Sequence, residues 1–429
     1  MLSYEQSRQF VSDRLKFGIK PGLERIEQLM AMLRNPQDKL KFIHIAGTNG
    51  KGSTAAMLAS ILQAAGYKTG LYISPYISDF RERISVNGSM IPKQSFAEQI
   101  DHLLPLVNQM EEQSLVITEF ELITAAAFSY FAKEQCDLVV LETGLGGRFD
   151  ATNIIKSPLC SVITRIALDH TDILGDTYAK IAYEKAGIIK CGCDVVVAAN
   201  QKEEVVSVLQ STAKEKGSAI HFCSADSVDI IFESIEGTEV AYSGKRIFLP
   251  LAGRYQAENL ATVLSAVDVL RGKSVLIDDS AILEGVAAAR FPARFEIMSR
   301  RPLVILDGTH NPNGAKALSD TLTRLLPDVK ITAIMGMLRD KDVEKTLSIL
   351  TPHFMKILAV SPDNPRAMSE EELCRLCSRF VPAERFEDKH TALSYAIGSC
   401  KEDEAVLICG SLYLAGELRG SIIDMVGEM

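Results

Sequence analysis

The sequence predicts two α/β domains: a larger N-terminal one doubly wound around a mainly parallel sheet, with a small antiparallel excursion, and a smaller C-terminal one. Three observations carry this. Apolar, β-branched runs alternate with helical patterns through most of the 429 residues, the pattern of strands covered on both faces by crossover helices. From about 219 to 250 the alternation gives way to short strands with Gly and Ser turns, as in Ile235-Glu-Gly-Thr and Ser243-Gly-Lys. A second alternating series then begins near Leu303.

In chain order, strands are expected at 42–46, 69–73, 138–142, 159–163 and 194–198, and helices at 53–65, 118–133 and 178–186. The antiparallel excursion is placed at the edge of the first domain, and a helix follows at about 256–271. The second series has strands at 303–306, 331–335, 356–360 and 405–409. The stretch from Pro292 to Pro302 is the best linker, so the chain divides near residue 296 into domains 1–296 and 297–429. Nothing repeats at a short fixed period and no segment has low complexity, which excludes solenoids and disordered arms.

Forty-six Lys+Arg against 55 Asp+Glu give a net charge of -9 without blocks of like charge. This argues against a nucleic-acid or membrane-surface binder acting through bulk positive charge, so an anionic substrate must be met by a local site. The N-terminus has no basic stretch leading into an apolar one, and no apolar run reaches membrane-spanning length; a cytoplasmic enzyme is expected. Nine scattered cysteines do not form a secreted disulfide pattern. Cys374-Arg-Leu-Cys377, with Cys191-Gly-Cys193 as an imaginable zinc partner, is better explained by an amphipathic helix starting near Ser369.

The strongest local feature is Lys41-Phe-Ile-His-Ile-Ala-Gly-Thr-Asn-Gly-Lys-Gly-Ser-Thr54, an apolar strand running through a glycine-rich turn into a helix. Such a turn lets backbone N–H groups converge on phosphate oxygens, and the helix N-terminus adds partial positive charge. Asn49, Gly50, Lys51, Gly52 and Ser53 form the candidate phosphate loop, with Lys51 on the β/γ-phosphates and Ser53 able to ligand Mg²⁺. The match to G-x-x-x-x-G-K-[ST] is imperfect: Ile45 stands where its first Gly belongs, and Gly52 separates Lys51 from Ser53. Three further polar clusters follow strand ends, where open α/β sheets bind ligands. They are Ser74, Glu142-Thr-Gly-Leu-Gly-Gly-Arg-Phe-Asp150, and Asp169-His170-Thr-Asp172. Together they suit a divalent ion bridging ATP phosphates. Singly, Ser74 reads as a turn before Pro75, Glu142 as half of a surface pair and His170 as a helix cap.

These residues resemble the folylpolyglutamate synthase and dihydrofolate synthase family of Mur-type ATP-dependent amide ligases. The motifs that carry the resemblance are Gly47 to Ser53, Ser74-Pro75, Leu141-Glu-Thr-Gly-Leu-Gly-Gly-Arg-Phe-Asp-Ala-Thr-Asn153, Ala167-Leu-Asp-His-Thr171, Glu184-Lys-Ala-Gly-Ile188, Asp307-Gly-Thr-His-Asn-Pro312 and Gly336-Met-Leu-Arg-Asp-Lys-Asp342. They run in family order over nearly the whole chain. The resemblance implies a P-loop domain and a Rossmann-like C-terminal domain with ATP between them, closing on binding. It implies Mg²⁺ at two sites, with Ser74, Glu142 and His170 as ligands and Lys185 as a carbamylated lysine helping to hold the second ion. Without the resemblance, Lys185 reads as a helix-surface lysine paired with Glu184 or Asp172. Asn259, Arg294 and Asp307 match nucleotide contacts, Arg294 neutralising phosphate, and His310 lies near the cleft.

For the pterin, the family analogy points to Thr118, Glu119, Phe120 and Glu121, and to Phe149, Asp150 and Ala151. An aromatic face stacks on a pterin and a carboxylate binds its amino-pyrimidine edge. Thr118-Glu-Phe-Glu121 also fits a capping box before an apolar helix, which explains Thr118 and Glu121 structurally. Tyr76, Tyr255 and Ala293 depart from the His, His and Gly common in relatives, without removing a metal or phosphate group.

The resemblance implies that ATP phosphorylates a folate or pteroate carboxylate and that the amine of L-glutamate then displaces phosphate, with catalysis by Lys51, Lys185, His170, Arg294 and His310. Both tetrahydrofolate and dihydropteroate are expected acceptors, and a monomer is expected. The rivals are a peptidoglycan-precursor Mur ligase and a P-loop nucleotide switch; no Asn-Lys-x-Asp base-reading segment supports the switch. A nicotinamide dehydrogenase is disfavoured by Lys51 and by the absence of G-x-G-x-x-G spacing.

Overall fold

A computed structural model describes residues 2–18, 20–224 and 227–427. Its largest sheet has eight strands: β1 (Phe42–Ala46), β2 (Thr69–Tyr72), β3 (Ile84–Val86), β4 (Ser89–Met90), β5 (Leu138–Glu142), β6 (Cys160–Ile163), β7 (Asp194–Val197) and β8 (Ile220–Phe222). Their order is β4-β3-β2-β5-β1-β6-β7-β8. All neighbours run parallel except the antiparallel pairs β2–β3 and β3–β4 at one edge. β1, β5 and β6 are buried along their whole lengths, which is why they read as mostly apolar runs with one polar residue each, His44, Glu142 and Ser161.

One face of this sheet carries Phe42, Tyr72, Val139 and Leu141 against the helices Lys93–Glu112 and Glu119–Lys133. Further along the same face, the helix Tyr178–Ala186 packs through Ile181 and Ala182 against Ile163, Val195 and Val197. The helix Lys51–Ala64, which follows β1, is buried from Gly52 to Ala59 and again at Ile61 and Leu62. Ala-rich and nearly without a polar face, it is an internal helix. The helix Asp279–Ala288 lies directly against it.

The segment 229–249 forms its own antiparallel sheet of β9 (Asp229–Ser234), β10 (Gly237–Tyr242) and β11 (Lys245–Leu249), in the order β11-β10-β9. A third sheet contains β12 (Glu296–Arg300), β13 (Leu303–Leu306), β14 (Lys330–Met335), β15 (Phe354–Ala359), β16 (Ala383–Arg385) and β17 (Glu404–Cys409). Its order is β12-β13-β17-β14-β15-β16, parallel except for β12. The chain separates into two compact units: residues 1–76, 80–227 and 258–289, and residues 77–79, 228–257 and 290–429. The excursion, placed by sequence at the edge of the first domain, thus groups with the second unit. Among the described residues no helix is long and apolar enough to cross a membrane.

The contact between the two internal helices has no room to spare. A Cβ at Gly285 would lie 2.4 Å from Ile61 Cα and 2.7 Å from Ile61 N, so the clash is with backbone that cannot rotate away. Gly285→Ala should therefore lower stability by about 1–3 kcal/mol, seen as a fall in the thermal unfolding midpoint of the purified protein.

Candidate active site

β1 is the switch point of the large sheet. The chain leaves it for β2 on the β5 side, and β6 lies on its other flank. Register sets Ile45 level with Glu142 on one side and with Val162 on the other. The loops after β1, β5 and β6 therefore open at one edge, the ligand-binding edge of such sheets.

The loop after β1 is shaped by its backbone. Thr48 N and Asn49 N donate to Arg165 O at 2.9 and 3.2 Å, and Thr48 Oγ1 donates to Ala167 O at 3.0 Å. Gly50 sits at φ 87, a left-handed conformation that side chains rarely adopt, and N-caps the helix without any side-chain cap. The first-turn N–H groups of Lys51, Gly52 and Ser53 are thus left for an anion. Asn259 stands beside the loop, its Oδ1 within 2.3 Å of where a Cβ at Gly50 would be. Lys51 Nζ lies 3.8 Å from Glu142 Oε1 and donates to Thr48 O at 3.4 Å. Glu142 is buried, and its Oε2 accepts from Ser74 N at 3.2 Å. It is therefore not half of a surface pair.

Lys185 is also not on the surface. Its side chain is buried and Nζ donates to Gly47 O at 2.7 Å. Burial pushes the ammonium down to about 7, and Lys51 pushes the same way; Asp169 and Asp150 oppose them. What buries it is the docking of two distant motifs. A Cβ at Gly147 would come within 2.9 Å of Glu184 O and Lys185 O, and one at Gly187 within 2.3 Å of Arg148 Cα. Arg148 N donates to Glu184 O at 2.7 Å, and Asn153 Nδ2 bridges Arg148 O and Gly187 O at 3.0 and 3.1 Å. The Gly-Gly-Arg and Glu-Lys-Ala-Gly segments are one packed feature. His170 precedes the short helix Thr171–Leu174 at φ 50 and, although at the N-cap position, offers no side-chain cap; its ring is 4.0 Å from Asp169 Oδ1.

The pterin candidates divide. Thr118 and Glu121 form the capping box: Glu121 Oε2 accepts from Thr118 N and Oγ1 at 2.8 and 2.9 Å. Glu121 Oε1 also accepts from Arg25 Nε at 3.0 Å. Glu119 pairs with Arg83 at 3.4 Å, and Phe120 packs 6.0 Å from the Tyr72 ring. Asp150 is buried beside Ala151, and burial pushes its carboxyl up against the bonds it accepts from Leu145 N and from Thr152 N and Oγ1. Phe149 alone is presented outward, 51% exposed.

Arg294, Asp307 and His310 lie in the second unit. Both oxygens of buried Asp307 are engaged by backbone, Oδ2 by Phe295 N and Oδ1 by Thr309 N, each at 2.8 Å. Arg294 Nη1 donates to Ala293 O at 2.9 Å, and His310 Nδ1 donates to Gly308 O at 2.9 Å. Burial, with Asp307 adding, raises the Tyr255 phenol well above its ordinary range.

Among the described residues no three His, Cys, Asp or Glu side chains cluster closely enough to cage a metal. Mg²⁺ is commonly held by one or two carboxylates together with substrate phosphates. The Ser53 and Ser74 hydroxyls make no hydrogen bond among the described residues and, with Glu142, supply hard oxygen donors of the kind Mg²⁺ takes.

A strand-to-helix phosphate loop with its lysine beside a buried carboxylate, at the switch point of a parallel sheet, defines a P-loop nucleotide-dependent enzyme. The models of two Mur ligase domains match the chain, the middle domain over 45–267 and the glutamate ligase domain over 293–412. A dihydrofolate synthase/folylpolyglutamate synthase of Bacillus subtilis is 38% identical over 97% of this chain and 98% of its own. The Escherichia coli protein of the same description is 34% identical over 94% and 91%. Among solved structures, Mycobacterium tuberculosis folylpolyglutamate synthase complexed with ADP superposes with a TM-score of 0.89 at 32% identity, covering 98% of each chain. The chain belongs to the folylpolyglutamate synthase/dihydrofolate synthase family of Mur ligases, ATP-dependent ligases that join glutamate to folate. The peptidoglycan and switch alternatives are disfavoured by that match.

One neighbour of the site belongs to none of the motifs that carry the resemblance. His44, buried in the middle of β1, has its Nε2 2.8 Å from Thr152 Oγ1, whose proton goes to Asp150 Oδ1 at 2.6 Å. The ring is therefore the Nε2–H tautomer and supports the Gly-Leu-Gly-Gly-Arg loop from below. Burial pushes its pKa down to about 3, with Lys190 adding. The unfolded chain takes up that proton below about 6.5 and the folded one does not until near 3, so stability falls as pH drops through this window. Between pH 7 and 5 the wild type should lose up to about 2 kcal/mol more than His44→Gln, which keeps a donor of similar reach and cannot titrate. Chemical denaturation at the two pH values measures the difference.

Proposed function

We propose that this chain adds L-glutamate to tetrahydrofolate and to dihydropteroate through an acyl phosphate. The observation that carries the reading is the phosphate loop with Lys51 Nζ 3.8 Å from the buried Glu142 carboxylate. A carboxylate resists attack by an amine, and phosphorylation gives it a leaving group. The protein's work is then mostly placement and charge neutralisation. In this reading the free N–H groups of Lys51 to Ser53 hold phosphate oxygens, and the Lys51 ammonium neutralises the transferred group. Asn259 and Arg294 contact the nucleotide, with Asp307 acting through its hold on the Arg294 loop, and His310 lies alongside. Ser74, Glu142 and His170 would hold Mg²⁺, joined by Ser53; bound there, the ion would screen phosphate charge.

The acceptor is assigned to the surface around Phe149, whose exposed ring is available for stacking, and Glu119 and Phe120 are read as further acceptor contacts. Thr118, Glu121, Asp150 and Ala151 shape that surface through the capping box and the Asp150 turn. The glutamate-specific step needs no covalent protein nucleophile: the amine attacks the acyl phosphate and inorganic phosphate departs as the amide forms. A soluble cytoplasmic monomer fits this reading.

The test is ATP- and Mg²⁺-dependent incorporation of labelled L-glutamate, with dihydropteroate and tetrahydrofolate supplied in parallel. Product is expected from both acceptors. Product from tetrahydrofolate alone would remove the dihydrofolate synthase half, and none from either, in folded protein that binds ATP, would overturn the assignment. Lys51→Ala should cut turnover by about 10²–10³-fold or more without loss of fold, seen by circular dichroism.

Lys185 is proposed to be carbamylated. Its buried amine, hydrogen-bonded to Gly47 O and depressed toward neutrality, is in its neutral form a nucleophile for CO₂: the N–C bond forms as one C=O π bond opens, one proton is released, and the neutral amine becomes an oxygen-donor anion. ¹³C-bicarbonate should give a carbamate resonance that is absent in Lys185→Met. An unlabelled wild-type protein under the same conditions would refute the modification.

A further inference from the structure

Arg294 sits between two non-glycine residues in the left-handed region, Ala293 at φ 54 and Phe295 at φ 50. Two such residues around one arginine are costly, and strain of this kind persists only where the surroundings over-determine it. Here they do so from both faces of the second unit's sheet. Ala293 is buried in the cluster with Val304, Leu306 and Leu412, and Phe295 in the cluster with Ile305, Leu318 and Leu407. The chain thus straddles the sheet edge, with the half-buried Arg294 between its two anchors.

Two carboxylates fix the backbone on either side. Asp307 Oδ2 accepts from Phe295 N at 2.8 Å. Glu296 Oε2 accepts from Ala293 N at 2.9 Å, and Ala293 O takes Gly308 N at 2.9 Å. Asp307 directly follows β13, its N donating to Ile408 O at 2.9 Å. Glu296 opens β12 with its backbone opposite Leu306, and its side chain is gripped by the fork of Arg419, from the helix Leu412–Val426: Nε at 3.1 and 3.2 Å, Nη2 at 2.7 Å. A bidentate pair fixes orientation as well as charge.

We infer that Arg419 is a positioning residue for the ligase reaction, holding through Glu296 the doubly left-handed turn that presents Arg294. The inference rests on the reading of Arg294 as the phosphate-neutralising arginine. A pair that merely tied helix to sheet would affect stability; a positioning pair must affect turnover, and only while Arg294 is present.

The test is a double-mutant cycle on ATP-dependent glutamate incorporation, with Arg419→Met, Arg294→Met and the double variant assayed well below their unfolding midpoints. Arg419→Met should lower kcat/KM for ATP about 10- to 100-fold, Arg294→Met should lower it at least as far, and the double variant should be no worse than Arg294→Met. Ala293→Gly, which supplies the left-handed turn without a Cβ, should restore part of the loss in Arg419→Met. If Arg419→Met does not fold, Glu296→Gln replaces it, since it keeps an oxygen for Ala293 N and drops the ion pair. Unchanged kinetics in a folded Arg419→Met or Glu296→Gln, or losses that multiply in the double variant, would overturn the inference alone. Wild-type kinetics in Arg294→Met would overturn the reading of Arg294 and the inference with it.

Discussion

The hydrogen bond from the buried Lys185 amine to the Gly47 carbonyl, 2.7 Å long, is the constraint on which the nucleotide unit depends. It joins the start of the phosphate loop to a helix far along the chain. A buried ammonium is costly unless it is paired or loses its charge, and here the amine is pushed toward neutrality while its proton is given to a backbone carbonyl. The arrangement requires the Glu-Lys-Ala-Gly helix end to lie close against the Gly-Gly-Arg loop, and two glycines make that approach possible. The same contact ties the loop after β5 to the loop after β1. Phosphate loop, buried carboxylate and aromatic loop are therefore set by one packing event.

Much of this architecture is legible in the sequence. β1, β5 and β13 and the helix Tyr178–Ala186 coincide with their expected ranges, because the strands are short apolar runs with at most one polar residue, and the helix carries its apolar residues at helical spacing. The helix after the phosphate loop begins two residues before the expected 53, at Lys51, because the left-handed Gly50 closes the turn early. Strand order is not legible: β5 inserts between β2 and β1, a placement that depends on which faces the later helices cover. The short edge strands β3 and β4 carry too few residues for a periodic signal.

The site is legible as motifs and illegible as contacts. Lys185 on a helix with Glu184 beside it reads equally well as a surface lysine, since its burial is decided by a loop from another part of the chain. His44 looks like a polar interruption of an apolar strand until Thr152 and Asp150 appear beneath it. The pairs of Arg25 with Glu121 and Arg83 with Glu119 join segments far apart in sequence, and nothing local announces them. By contrast the capping box of Thr118 and Glu121 is fully local, and the spacing alone names both partners.

A single device recurs at several turns near the chemistry: a carboxylate accepts the backbone N–H of the loop it serves. Glu142 takes Ser74 N, Asp150 takes Leu145 N, Asp307 takes Phe295 N and Thr309 N, and Glu296 takes Ala293 N. Charge-assisted bonds of this kind are short and directional, and a buried carboxylate needs such donors as much as the loop needs the acceptor. Acids in these motifs therefore invite assignment as substrate ligands when much of their bonding capacity is already spent on the backbone. The distinction matters for the reaction. An acyl phosphate is protected and directed by loops whose positions are set before substrate arrives, and loops without regular hydrogen-bond ladders obtain that rigidity from side chains. The acidic residues between the motif glycines are, on this argument, the part of the machinery that makes the backbone itself a binding surface.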